Sequence, residues 1–160
     1  VLVGNLPYHM TSQLLFRARD GADRLAGVFF LIQKEVADRV AAEPGNKRYG
    51  VLSVLLQECF ETETVHVVPK GAFWPVPEVD GAVVRMVPRA ERLAAGLDLE
   101  RFAALVKAAF VQRRKTLRNT VGKKWPGALE RAGIDPKARP EELAVEDFVK
   151  LARAAEDDDA

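Results

Sequence analysis

The sequence predicts an α/β sheet followed by a small all-α domain, divided into residues 1–92 and 93–160. Three observations carry that reading. Up to about residue 68, apolar β-rich runs alternate with helical periodicities. Two strand-like runs, 63–68 and 82–87, then follow one another across a proline-rich stretch. From Leu97 onward no β-rich run occurs, and the apolar residues fall at helical spacing.

The first element is Val1 to Gly4, a continuous apolar run of the kind expected in a strand buried on both faces of a parallel sheet. Asn5-Leu6-Pro7-Tyr8 is a turn. A helix capped by Thr11 or Ser12 runs to about Arg19, with Leu14, Leu15 and Ala18 on one face, and Asp20-Gly21 ends it. Gly27 to Gln33 (Val28, Phe29, Phe30, Leu31, Ile32) reads as a second buried strand. Lys34 to Ala42 is helical and stops before Pro44-Gly45-Asn46.

Tyr49 to Phe60 reads as a strongly apolar helix, and Glu63 to Val68 alternates like a half-exposed strand. Pro69, Pro75 and Pro77 make 69–80 a loop, after which Ala82 to Val87 is a strand expected to pair antiparallel. The helical part comprises Leu99–Phe110, with Phe102, Leu105, Val106, Ala109 and Phe110 on one face, then Thr116–Lys124, Pro126–Ala132 ended by Gly133, and Pro140–Ala155. The acidic tail from Glu156 closes the chain.

The 160 residues are 48% apolar and 29% charged, which excludes wholesale disorder and collagen-like chains. No run reaches the ~18–20 apolar residues of a membrane helix, and the start lacks a secretion-signal layout, so a cytoplasmic protein is expected. The single Cys59 permits no internal disulfide, and with only His9 and His66 beside it no metal site is expected. Net charge is +1, but its distribution is uneven. Residues 101–129 hold eight basic and no acidic side chains, between segments of net negative charge, as in a surface facing an anionic polymer.

Asn5-Leu6-Pro7-Tyr8 follows a strand, so it stands at the carboxyl edge of the sheet, where open α/β folds bind ligands. The exocyclic amine of adenine is a poor nucleophile because its lone pair is delocalised into the ring. Its alkylation requires neutral acceptors on the N–H groups and a flat wall for the base. The Asn5 side-chain oxygen and the Leu6 carbonyl are such acceptors, the latter held extended by Pro7, and Tyr8 offers an aromatic face. Phe73, on a loop stiffened by Pro75 and Pro77, is placed to close on the opposite face of the base, whereas Trp74 is expected to pack in the core or at a rim.

Asn5-Leu6-Pro7-Tyr8, Gln33-Lys34-Glu35-Val36, Tyr49-Gly50 with Leu52-Ser53-Val54, and Ala72-Phe73 with Pro75, Pro77 and Val79-Asp80 belong to one ordered set of motifs. It continues in Ala109-Phe110, Gln112 to Asn119, and Gly133-Ile134-Asp135-Pro136 to Arg139-Pro140-Glu141. In that order the set closely resembles the bacterial 16S rRNA adenine dimethyltransferases, and the resemblance spans essentially the whole chain.

The resemblance implies a Rossmann-like methyltransferase sheet, here its C-terminal part, followed by the family's small helical, rRNA-contacting domain. It implies transfer of methyl groups from S-adenosylmethionine to adenines in a hairpin loop near the 3′ end of small-subunit rRNA. Asn5 would lie between cofactor and target amine, Leu6 and Pro7 would shape the acceptor, and Tyr8 and Phe73 would hold the adenine. The sequence departs from the family's pattern at Glu78, usually basic, and Gly81, usually Ser. It also shows no G-x-G-x-x-G turn after a strand, so the cofactor-binding half is expected upstream.

Lys107, Arg113, Arg114, Lys115, Arg118, Lys123 and Lys124, with Lys34 from the sheet part, are the expected RNA-backbone contacts. The expected partner is the small-subunit precursor particle, met by a monomer without a metal or a membrane. His66 is expected to be exposed or packed and Cys59 to be core, while His9, directly after the tetrapeptide, is a lesser candidate for lining the pocket. Two alternatives stay open: a non-catalytic RNA-binding chain, and a methylase of the macrolide-resistance type acting on large-subunit rRNA.

Overall fold

A computed structural model of the chain describes residues 1–112 and 114–156. Arg113 and residues 157–160, which hold most of the acidic tail, lie outside the described residues.

Four strands form one mixed sheet in the order β1-β2-β4-β3. They are β1 (Leu2–Asn5), β2 (Val28–Gln33), β3 (Phe60–Val68) and β4 (Gly81–Pro88). β1 runs parallel to β2, while β4 is antiparallel to both β2 and β3, as the succession of adjacent strand patterns implied. In β2 the residues Val28, Phe30 and Ile32 are buried and Phe29, Leu31 and Gln33 are half-buried, so one face meets the core.

Helices α1 (Thr11–Asp20), α2 (Lys34–Val40) and α3 (Val51–Gln57) pack on that face, where Leu15, Ala37, Val40 and Leu56 join Val84 and Met86 of β4. The helical part holds α4 (Leu99–Phe110), α5 (Val121–Lys124), α6 (Ala128–Arg131) and α7 (Val145–Glu156). Asp98 starts α4 by accepting hydrogen bonds at its side chain from the Glu100 and Arg101 amides, at 2.9 and 3.2 Å.

Several sequence expectations are corrected. β1 is not buried on both faces: its Leu2 and Val3, which point to opposite faces, are 38% and 73% exposed. No Thr11 or Ser12 side chain caps α1; the Thr11 hydroxyl donates to the Pro7 carbonyl at 3.1 Å. The helix expected over 49–60 is only Val51–Gln57, and Phe60 opens β3, whose nine residues exceed the expected six. Thr116–Lys124 is a 3-10 turn at Leu117–Asn119 followed by the short α5, the two separated at Thr120, whose backbone (φ −117°, ψ −86°) leaves the helical region. Pro126–Ala132 reduces to α6, and Pro140–Ala155 breaks at Leu143, whose backbone is extended.

Two buried clusters result, and α3 serves both. Val54 and Leu55 face the helical core with Phe102, Leu105 and Phe148, whereas Leu56 belongs beneath the sheet. Tyr49 meets Phe110 edge-on at 6.2 Å, and Phe110 stacks on Phe148 at 5.7 Å. Cys59 is core as expected; burial pushes its thiol up to about 12, so it stays protonated and inert.

Directly after α3 stands Glu58, fully enclosed. Its carboxylate meets the Arg19 Nε of α1 and an Arg92 nitrogen from the segment leaving β4, each at 3.2 Å. Arg19 also donates to the Leu55 carbonyl at 2.8 Å, and Arg92 to the Arg19 carbonyl. Burial pushes the Glu58 carboxyl up while the two guanidiniums pull it back down. Removing one member leaves the others buried without their counter-charge. Glu58→Ala is accordingly expected to lower the unfolding free energy by about 3–5 kcal/mol in urea titrations, more than loss of an exposed pair such as Arg85–Glu63 would.

Candidate nucleotide-binding site

Strand direction decides what gathers at one sheet edge. β1 and β2 end there at Asn5 and Gln33, β3 ends there at Val68, and the antiparallel β4 begins there at Gly81. The turn 5–10 and the loop 69–80 therefore emerge side by side. Their register is tied through Leu31, which lies opposite Asn5 in the ladder and whose carbonyl receives the Leu6 amide at 3.0 Å.

The tetrapeptide is held from behind. Leu6 is buried, and its Cδ2 would stand 3.1 Å from a Cβ at Gly4, so the absence of a side chain at Gly4 lets Leu6 settle against the strand. Pro7 is extended, and its carbonyl receives the Met10 amide and the Thr11 hydroxyl, at 3.0 and 3.1 Å. Asn5 is exposed, with its side-chain amide taken up by none of the described neighbours, and Tyr8 is 43% exposed. The arrangement presents a neutral oxygen acceptor and an aromatic face on a fixed backbone.

The opposing loop is clasped at its base by Asp80. Its side chain receives the Lys70 amide and its carbonyl receives the Lys34 amide, both at 2.9 Å. Within the loop the Ala72 and Phe73 amides donate to the Pro69 and Lys70 carbonyls, at 2.9 and 3.2 Å. Phe73 is half-buried, its ring lying against β4. A Cβ at Gly81 would stand 3.2 Å from the Phe73 Cζ and 3.1 Å from the Leu31 Cδ1. Gly81 is thus the reason that the ring lies so low, a role that the sequence alone did not give it. Trp74 corrects the expectation of core or rim packing, for it is 95% exposed.

The remaining expected residues divide. Lys107, Arg114, Lys115, Arg118, Lys123 and Lys124 are all exposed, and Lys124 stands 4.7 Å over the Trp125 ring. Among the described residues none of these six enters an ion pair; Arg113 lies outside them. Lys34 differs, since its ammonium pairs with Asp38 at 2.8 Å. His9 is exposed in the 3-10 turn Tyr8–Met10, and His66 is exposed on β3. Glu78, one of the two departures from the family pattern, is exposed on the same loop.

Sequence reading missed a basic cleft of about 700 Å³ between the two cores, lined by Ser12, Arg39, Lys47, Arg48, Phe110 and Lys107. Glu35 pairs with Arg39 and, at 3.7 Å, with Arg48, tying these cations to α2. In the sequence Arg39 stands apart from Lys47 and Arg48, with Glu35, Asp38 and Glu43 interspersed, so only the folding that brings 39–48 against α4 reveals them.

Comparison with known proteins is consistent with this geometry. A family described as Ribosomal RNA adenine dimethylase matches residues 1–157. A relative named Ribosomal RNA small subunit methyltransferase A from Xanthomonas campestris pv. campestris (strain B100) is 53% identical over 152 residues, covering 94% of this chain. The chain spans 58% of that relative's length. A protein of the same name from Xanthomonas euvesicatoria pv. vesicatoria is 51% identical over the same span. In structure the chain is similar to a dimethyladenosine transferase from Plasmodium falciparum, with TM-score 0.82, 22% identity, and 93% of this chain and 64% of that one covered. The 23S rRNA methyltransferase ErmE gives TM-score 0.71 at 28% identity, over 96% of this chain and 64% of its own.

A side chain at position 81 would strike the ring that shapes one wall of the site. Gly81→Ser is expected to lift Phe73, quickening amide exchange at Phe73 while β2 remains protected, and to cost about 1–3 kcal/mol of stability. Hydrogen exchange followed residue by residue checks this.

Proposed function

Because the chain belongs to the ribosomal RNA adenine dimethylase family, we propose that the protein dimethylates the exocyclic amine of adenines in a 3′-terminal hairpin loop of small-subunit rRNA. The observation that carries this reading is the convergence of Asn5–Tyr8 and the Phe73 loop on one sheet edge, with register fixed through Leu31. Residues 1–92 form the base-binding part and 93–160 the rRNA-contacting part.

In this reading an unpaired adenine is held between Tyr8 and Phe73. The Asn5 side-chain oxygen and the Leu6 carbonyl accept its two N6–H bonds, and Pro7 keeps that carbonyl extended. These acceptors draw the nitrogen out of conjugation, which restores its lone pair as a nucleophile; the methylated N6 is cationic and acidic, and it loses its proton to solvent water. S-adenosylmethionine is the methyl donor of the proposal, and Asn5 is the residue facing it. Among the described residues no glycine-rich turn follows β1 or β2, and β2 passes at Gln33 directly into α2. These residues do not by themselves compose a cradle for the donor; what they supply is the adenine side of the reaction.

The exposed cations Lys107, Arg114, Lys115, Arg118, Lys123 and Lys124, with the cleft of Arg39 and Arg48, form the surface proposed for the RNA backbone. The partner is the small-subunit rRNA or its precursor particle, approached by a cytoplasmic monomer. A small-subunit substrate is favoured over a large-subunit one by the names of the relatives that are 53% and 51% identical to this chain over 152 residues.

Two measurements test the proposal. In the protein at the full length of its relatives, Asn5→Ala is expected to reduce methyl transfer to small-subunit particles about 10²–10³-fold, and Phe73→Ala about 5–150-fold. Undiminished transfer in either variant removes the assigned role. Separately, RNA affinity should fall steeply with salt, and neutralising Arg114, Lys115 and Arg118 together should flatten that log–log slope by about 2–3.

A further inference from the structure

We propose that Trp74 is a stacking platform for an unpaired RNA base neighbouring the one held by Tyr8 and Phe73. The inference rests on the RNA reading above and adds a second base position to it.

An indole left 95% exposed on a monomer's surface is unusual, because Trp carries a large apolar area that folding ordinarily removes from water. Here the backbone enforces the exposure. Phe73 is extended (φ −109°, ψ 151°), so successive side chains leave the loop in opposite directions. The Phe73 ring is committed inward, against β4 and Leu31, because Gly81 has no side chain to keep it off. Trp74 is thereby directed outward, and Pro75 fixes the backbone that follows it.

The loop is also clasped at both ends, by the Lys70 amide on the Asp80 carboxylate and the Lys34 amide on the Asp80 carbonyl, both at 2.9 Å. With the loop's backbone fixed in this way, the ordering that a flat partner imposes falls on the indole side chain alone. Val76 and Val79, 56% and 44% exposed, add further apolar surface to the same loop. An unpaired nucleobase fits such a surface, since every base has a π-face, and a hairpin loop places unpaired bases next to the target. A base-paired duplex, with its faces already stacked, does not fit.

The full 160-residue chain with Trp125→Phe retains Trp74 as its one indole and serves as the probe. Its fluorescence is titrated with a hairpin RNA bearing unpaired adenines in the loop, and with a blunt RNA duplex of equal length. Loop RNA is expected to quench Trp74 and duplex RNA to leave it unchanged. In the otherwise unaltered chain, Trp74→Ala is expected to weaken loop-RNA binding about 5–150-fold, with duplex affinity and thermal stability unmoved, and Trp74→Phe to restore most of the loss. Loop-RNA binding by Trp74→Ala at the parent's affinity overturns the platform while leaving the RNA reading intact. Failure of the parent chain to bind either RNA overturns that reading, and the platform with it.

Discussion

The enclosed Glu58 carboxylate is the constraint around which the molecule is arranged. A charge with no exposed surface requires counter-charges from fixed directions, and the two guanidiniums that supply them come from distant parts of the chain. Arg19 brings α1 and Arg92 brings the segment that leaves β4. The backbone reinforces the meeting, for the Leu93 amide donates to the Glu58 carbonyl and the Arg89 amide to the Cys59 carbonyl, each at 2.8 Å. The sheet part therefore cannot shift against the entry to the helical part without uncovering an ion. Because α3 lends Val54 and Leu55 to one core and Leu56 to the other, the same short helix carries that rigidity into both.

From this joint the placement of the chemistry follows. α1 leads back to the tetrapeptide, and β4 leads back to Gly81 and the Phe73 loop. The antiparallel run of β4 is what returns the loop to the edge where β1 ends. A parallel last strand would have delivered its preceding loop to the opposite edge, away from Asn5. The basic cleft opens where α2, α3 and α4 meet, beside the same joint.

Much of this is legible in the sequence, and the exceptions have a common cause. The runs that form β2 and β4, the alternation that forms most of β3, and the amphipathic face of α4 are local patterns, and the fold obeys them. Position within the sheet is not local: Val1 to Gly4 reads the same whether covered or bare, and only the strand order shows β1 to be unpaired on one side. The helical part holds less helix than its spacing suggests for a related reason. Residues 116–124 have helix-compatible neighbours, but the Leu117 and Arg118 amides anchor the segment to carbonyls near residue 137, and the chain turns out of the helix at Thr120. Asn5, Leu6 and Phe73 can be placed at one edge from order alone. Trp74 cannot, because its direction depends on where the ring before it finds room, and that is settled by a glycine seven residues away.

The Asp80 clasp separates two tasks that most binding loops must perform together. With both ends of 69–80 held by main-chain donors, only the Phe73 ring, lying over Gly81, couples the loop's side chains to the strands beyond them. Loop closure is also forgiving of length, each doubling costing only about 0.6 kcal/mol. Under the proposed reading, changes at the exposed Trp74, Val76 and Glu78 alter which bases are favoured while the clasp and the Phe73 contact stay as they are. The exposed stretch of the loop is in that sense an exchangeable part, whose replacement leaves the sheet edge that carries it intact.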